Sequence, residues 1–100
     1  MILCAGFGAR LRPLTEELPK PLVPVGDRSV LGHICAQLAR AGYPRALVNT
    51  HWLSEKFQAI TDGFGVDVTL IHEAQIRGVV GAVGAARALL AAPVIVWNGD

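Results

Sequence analysis

Short apolar blocks recur along this chain, and the segments between them carry apolar residues at helical spacing. The blocks are Met1–Ala5, Ala46–Val48, Val66–Leu70 and Val94–Trp97. Each is too short for a buried helix and is bounded by Gly, Pro or polar residues, the pattern of a strand. Between the first two, Leu31, Ile34, Cys35 and Leu38 stand at i, i+3, i+4 and i+7, the stripe of a helix with one buried face. An order of strand, helix, strand, repeated to βαβαβαβ, leaves few folds open. It predicts a parallel sheet joined by right-handed crossovers.

The expected elements follow from local signals. The first strand is Met1 to Ala5. A long loop, Gly6 to Asp27, holds Pro13, Pro19, Pro21 and Pro24, which exclude a helix or a central strand there. Ser29 is the predicted N-cap of the first helix and Gly42 its C′ residue. Arg45 to Thr50 is the second strand. Ser54 is expected to cap a second helix, with Leu53, Phe57 and Ile60 on its inner face and Gly63 and Gly65 stopping it. Val66 to His72 is the third strand. Glu73 to Gly81 is expected to be a loop, and Ala82 to Ala91 a helix with Val83, Ala86 and Leu90 inward. Pro93 ends that helix, and Val94 to Trp97 is the fourth strand. Trp52 and Trp97 are both expected in the core.

One hundred residues bound the chain to a single domain. No apolar run is long enough to span a membrane. A formal net charge of +1 gives no global field for nucleic acid or anionic lipid. Cys4 and Cys35 both fall at core positions and read as buried thiols, not a disulfide. With no signal peptide visible, a cytoplasmic setting is expected. Met1 stands almost inside the first strand and Asp100 immediately beyond the fourth, so a piece of a larger domain is expected.

The chemistry concentrates at one edge. In open parallel sheets, ligands bind beyond the carboxyl ends of the strands. Three features fall there: the Gly6 to Lys20 loop, the Glu73 to Gly81 loop, and Asn98-Gly99-Asp100. Glycines at Gly6 and Gly8 let the backbone come close to a ligand. Arg10 offers a forked guanidinium and Lys20, between two prolines, an ammonium with a defined exit direction. Exposed amides and fixed positive charge suit a nucleoside triphosphate. A carboxylate at Asp100, after a glycine, suits Mg²⁺ completed by phosphate oxygens. His33, His51 and His72 have no zinc-ligand spacing.

The string Ala5-Gly6-Phe7-Gly8-Ala9-Arg10-Leu11-Arg12-Pro13-Leu14-Thr15, then Pro19-Lys20-Pro21-Leu22, resembles the signature of the sugar-1-phosphate nucleotidyltransferases. Cys4 stands where that family more often has Ala, and Ala9 where it has Thr or Ser. The resemblance implies a Rossmann-like three-layer α/β sandwich with a mainly parallel sheet of strand order 3-2-1-4, truncated after the fourth strand. Residues 1–100 would be the nucleotide-binding half, with the sugar-binding half missing. It implies that Arg10 contacts the triphosphate, that Lys20 neutralises charge near the reacting phosphates, and that Asp100 binds Mg²⁺. It implies nucleotide contacts from Ala5, Gly6, Gly8, Gly78 and Gly81. A second metal-binding aspartate lies further along in that family.

Gly78-Val79-Val80-Gly81 stands where relatives carry Gly-Thr-Ala-Gly, and there the loop packs on the nucleobase. Glu73 would hold that loop. The Asn49-Thr50-His51-Trp52-Leu53 stretch is similar to a loop-fixing element of the family. It favours the branch that includes guanylyl transfer to mannose phosphate and uridylyl transfer to amino-sugar phosphates over the thymidylyl branch. The implied partners are a nucleoside triphosphate and a sugar-1-phosphate, with no nucleic acid and no membrane, and a homo-oligomer is admitted. A nucleotide-binding regulatory module without chemistry stays as an alternative. So does a dinucleotide-dependent oxidoreductase, against which stand the missing Gly-x-Gly-x-x-Gly and the missing acidic residue after strand two.

Overall fold

The computed structural model describes residues 1–59, 63–91 and 93–100. Its main sheet has four parallel strands: β1 (Ile2–Leu3), β4 (Arg45–Thr50), β5 (Asp67–His72) and β6 (Trp97–Asn98), in the order β5-β4-β1-β6. That is the expected order 3-2-1-4. β1 lies between β4 and β6, with Ile2 opposite Val48 and Trp97, and Leu3 opposite Asn49 and Asn98.

Helix α2 (Val30–Arg40) joins β1 to β4, and its ends form as the sequence predicts. The Ser29 hydroxyl accepts a hydrogen bond from the Gly32 amide at 3.0 Å. At the other end Gly42 takes φ +83°, the Gly42 amide bonds Ala39 O, and the Tyr43 amide bonds Leu38 O at 3.0 Å. This is the paired closure by which a glycine terminates a helix. Leu31, Ile34, Cys35 and Leu38 are buried against Ile2, Cys4, Ala46 and Val48 on one sheet face, with Phe57 completing the core. The chain steps outward from β1 to β4 to β5, then returns across the sheet to β6. By the right-handed rule for parallel crossovers, this return carries α4 (Gly78–Ala85) to the opposite face, which gives three layers.

Several expectations are corrected. The Gly6 to Asp27 segment is not free of helix: it holds a 3-10 turn at Ala9–Leu11, the one-turn α1 (Leu14–Glu17) and a 3-10 turn at Lys20–Leu22. Pro13 and Pro19 stand just before two of these turns and Pro21 in the opening of the last, where no amide is needed. Its end pairs back on itself as a small antiparallel ladder, β2 (Pro24–Val25) with β3 (Arg28–Ser29). The second helix, α3 (Glu55–Gln58), is a single turn, and Ser54 does not cap it by its side chain. Ser54 has helical dihedrals (φ −59°, ψ −28°), whereas a capping residue is extended. Ile60, expected on its inner face, lies outside the described residues.

The third crossover also differs. Helix α4 begins at Gly78, four residues before the expected start, and ends at Ala85, followed by a 3-10 turn at Arg87–Leu89. Ala82 within it and Ala86 just past its end are buried; Val83 is half-buried. The fourth strand is Trp97–Asn98, because β1 offers ladder partners only at Ile2 and Leu3. Trp97, expected in the core, is 36% exposed.

Candidate functional site

Two adjoining clefts open at the carboxyl ends of β1 and β6, where the strand order reverses, the place where such sheets bind ligands. The larger, about 390 Å³, is walled by Gly6, Gly8, Arg10 and Lys20 on one side and Asn98, Gly99 and Asp100 on the other. The smaller, about 160 Å³, is lined by Ala5, Asn49, Glu73, Ile76, Gly78 and Val79. Leu3, Gly6 and Asn98 line both.

The larger cleft depends on two glycines. Gly8 has φ +64°, and a Cβ there would stand 2.9 Å from Thr15 Cγ2 and 3.1 Å from Lys20 Cβ. Gly99 is buried, donates its amide to Leu3 O at 2.9 Å, and has Cys4 Sγ where a Cβ would sit. A side chain at position 99 would push Asp100 off the end of β1. With glycine there, Asp100 reaches across the cleft mouth and its Oδ2 accepts a hydrogen bond from Lys20 Nζ at 2.7 Å. The Asp100 carboxyl is held below its ordinary range, first by that hydrogen bond. Partial desolvation opposes the shift, and the charges of Lys20 and Arg10 assist it. Arg10 has no carboxylate at ion-pair distance among the described residues. Burial raises the Cys4 thiol far above its usual value, with smaller effects from Cys35 and Asp100.

The smaller cleft is held by a buried carboxylate. Asn49, at the end of β4, accepts from the Cys4 amide at 2.8 Å and donates to Glu73 Oε1 at 2.9 Å. Glu73 Oε2 accepts from the Arg77 amide at 3.4 Å, and Glu73 O meets His51 Nδ1 at 2.7 Å. One network thus ties the end of β1 to the loop after β5. It matches the loop-holding role expected of Glu73 and of the Asn49 to Leu53 stretch.

Of the residues singled out from the sequence, Gly6, Gly8, Arg10, Lys20 and Asp100 converge on the larger cleft, and Ala5, Gly6 and Gly78 on the smaller. Gly81 lines neither; it lies inside α4, and a Cβ there would strike Arg77 Cβ. Arg12 is exposed and outside both clefts. Asn98, common to both clefts, belongs to the Asn98-Gly99-Asp100 feature but had no role of its own in the sequence reading; its one signal is its place at a strand's carboxyl end. Among the described residues no three His, Cys, Asp or Glu side chains stand close enough together to hold a metal. Among the described residues Asp100 is the one carboxylate lining the cleft, which fits a Mg²⁺ ion that takes most of its ligands from phosphate and water.

The family model for nucleotidyl transferases matches residues 1–100. The chain is 37% identical over 106 residues to the N-acetylmuramate alpha-1-phosphate uridylyltransferase of Neisseria meningitidis serogroup B, covering all of this chain and 46% of that enzyme. It is 35% identical over 107 residues to the mannose-1-phosphate guanylyltransferase catalytic subunit beta of Danio rerio, covering all of this chain and 30% of that protein. It superposes with a TM-score of 0.85 on the crystal structure of a putative glucose-1-phosphate thymidylyltransferase from Bacillus anthracis, at 26% identity, over 99% of this chain and 42% of that one. The chain therefore spans less than half the length of each. Among the described residues no helix is long and apolar enough to cross a membrane.

Proposed function

The chain belongs to the nucleotidyl transferase family, and on that premise we propose that it is the nucleotide-activating part of a sugar-1-phosphate nucleotidyltransferase. The reaction is attack by a sugar-1-phosphate oxygen on the α-phosphorus of a nucleoside triphosphate. The new bond joins that oxygen to the α-phosphorus, the bond from the α-phosphorus to the β-bridging oxygen breaks, and pyrophosphate leaves. No covalent intermediate on the protein is needed.

The observation that carries this reading is the Lys20–Asp100 pair, facing Arg10 and the left-handed turn at Gly8 across one cleft. The amides of the Gly6 to Gly8 turn and the guanidinium of Arg10 hold the triphosphate. Lys20 neutralises charge on the phosphates, which is worth most in a site shielded from water. Asp100 would hold Mg²⁺, which supplies charge neutralisation and orientation of the phosphate oxygens. In the free protein Lys20 occupies the carboxylate itself, so nucleotide and metal must separate the pair to load the site. The smaller cleft, next to Gly6, takes the base. The two named relatives suggest UTP or GTP as donor, with N-acetylmuramate or mannose 1-phosphate as acceptor. Both cysteines are free and buried, which suits a reducing, cytoplasmic setting.

Titration calorimetry of the full-length protein with UTP, GTP, CTP and dTTP, with and without Mg²⁺, tests the binding half of this reading. Pyrophosphate release with each sugar phosphate tests the rest. Tight binding of one triphosphate, strengthened by Mg²⁺ and weakened by Asp100→Asn, is expected. Nucleotide binding without pyrophosphate release would instead make this a regulatory module.

A further inference from the structure

The turn carrying Gly6 and Gly8 makes no ladder hydrogen bonds, so something else must fix where its amides point. Thr15 is fully buried beneath it, and its hydroxyl donates to Gly8 O at 2.9 Å. Thr15 sits in the one-turn helix α1, which has its own defect. In a helix the carbonyl of residue 15 would accept the amide of residue 19. Residue 19 is proline and has no amide hydrogen. The Thr15 carbonyl is therefore orphaned by the sequence, and a buried carbonyl without a partner is costly.

The partner comes from just beyond β4, the strand beside β1. There Trp52 donates its indole Nε1–H to Thr15 O at 2.8 Å. The same ring meets Phe7 edge-on, with centroids 5.8 Å apart, and the neighbouring His51 meets Phe7 at 5.4 Å. Phe7 and Gly8, adjacent in the turn, are thus each tied back to residues 51–52, one by packing and one through Thr15. The backbone after Trp52 is itself strained: Leu53 has φ +48°, a left-handed conformation that is costly for any residue but glycine. Such strain persists only where the surroundings enforce it.

We propose that Trp52 is a positioning residue for nucleotide binding, acting on the phosphate-facing turn through Thr15. It touches no substrate. It supplies the hydrogen that Pro19 cannot, keeps Thr15 under Gly8, and so keeps the Gly6 to Gly8 amides aimed into the cleft. This rests on the nucleotidyltransferase reading for its kinetic consequences, but not for its structural one.

The test uses Trp52→Phe, which keeps an aromatic ring against Phe7 and removes only the N–H, and Thr15→Val, which keeps the shape and removes the hydroxyl donor to Gly8. In the full-length protein each should raise the KM for nucleoside triphosphate about 5- to 10-fold, the worth of one hydrogen bond. The kcat and the KM for sugar phosphate should stay within about 2-fold, since uniform binding is what is lost. The double variant should be little worse than either single one, because both act through one contact chain. Independently of activity, tryptic cleavage after Arg10 should rise about 5-fold in each variant while cleavage after Arg40 is unchanged. Unchanged nucleotide KM and unchanged cleavage after Arg10 in both variants would overturn the proposal. So would equal acceleration at Arg10 and Arg40, which reports general destabilisation. If Trp52→Phe does not accumulate as folded protein, Thr15→Val decides by the same two readouts. If the unaltered protein binds no triphosphate, the functional reading fails and the cleavage comparison still decides the role of Trp52.

Discussion

The two clefts share Leu3, Gly6 and Asn98, yet they are built in opposite ways. The larger is assembled from solvent-accessible charges, Arg10, Lys20 and Asp100, set beside backbone that only glycine can adopt or fit. The smaller is assembled from one buried carboxylate, Glu73, whose hydrogen bonds are spent inside the protein, and from apolar side chains at its mouth. The first can answer to charge on a ligand; the second can answer to shape and a few polar edges. On the proposed function, the contrast would separate the place of phosphate chemistry from the place where a base is told apart.

The largest effect should come from removing a charge from the first cleft. Lys20→Ala should lower turnover of the full-length protein by about 10²–10³, the usual effect of deleting one preorganised charge donor. Its melting temperature should barely move, because an ion pair this exposed contributes about 0–1 kcal/mol. Near-normal turnover would erase the distinction between the clefts.

The second cleft should behave the other way round. Asn49→Ala strands the Cys4 amide and removes a partner of buried Glu73, which should destabilise the protein by about 1–3 kcal/mol in urea unfolding. Its effect on turnover, for the fraction that stays folded, should be smaller than that of Lys20→Ala. A smaller and more selective change is Val79→Thr, which adds a hydroxyl at the mouth of that cleft. It should alter the preference between UTP and GTP by up to about 5-fold, the worth of one neutral hydrogen bond, with kcat unchanged. A change in kcat with no change in preference would place Val79 with the charged cleft instead.

The smallest effect at neutral pH concerns the thiols. Burial pushes Cys35 up to about 11, and Cys4, beneath the charged cleft, is raised further. A raised thiol leaves stability intact below the ordinary thiol pKa of about 8.5 and removes it as pH rises through the native value. Urea midpoints should therefore be level from pH 7 to about 8.5 and fall beyond. Iodoacetamide at pH 8 should leave Cys4 unmodified in the folded protein. Rapid labelling would show that the floor of the charged cleft is open to solvent.

What could be read from the sequence divides along the same line. Arg45–Thr50, the Ser29 cap and the Gly42 stop were legible because each follows from neighbours in the chain. The charged residues were legible as chemistry, because cations and glycines at a strand's end have few other uses. Helix α4 was misplaced because glycines at Gly78 and Gly81 are poor helix formers in isolation. What lies next to them is set by Glu73 and Asn49, which a local reading does not see. Val94 to Val96 look like a strand until one knows that β1 has ladder partners only for Trp97 and Asn98. Trp52 looked like core because the acceptor of its N–H lies 37 residues away.

The central place of β1 has a consequence for how the protein is made. Ile2 and Leu3 take their partners from residues 48–49 on one side and 97–98 on the other. A chain leaving the ribosome thus carries its first strand without a neighbour until β4 has emerged. Lys20 waits longer, for a carboxylate 80 residues downstream. Contacts of such separation slow folding, since loop closure must come before any reward. The mouth of the larger cleft therefore closes only after Asp100, 80 residues beyond Lys20, has been made.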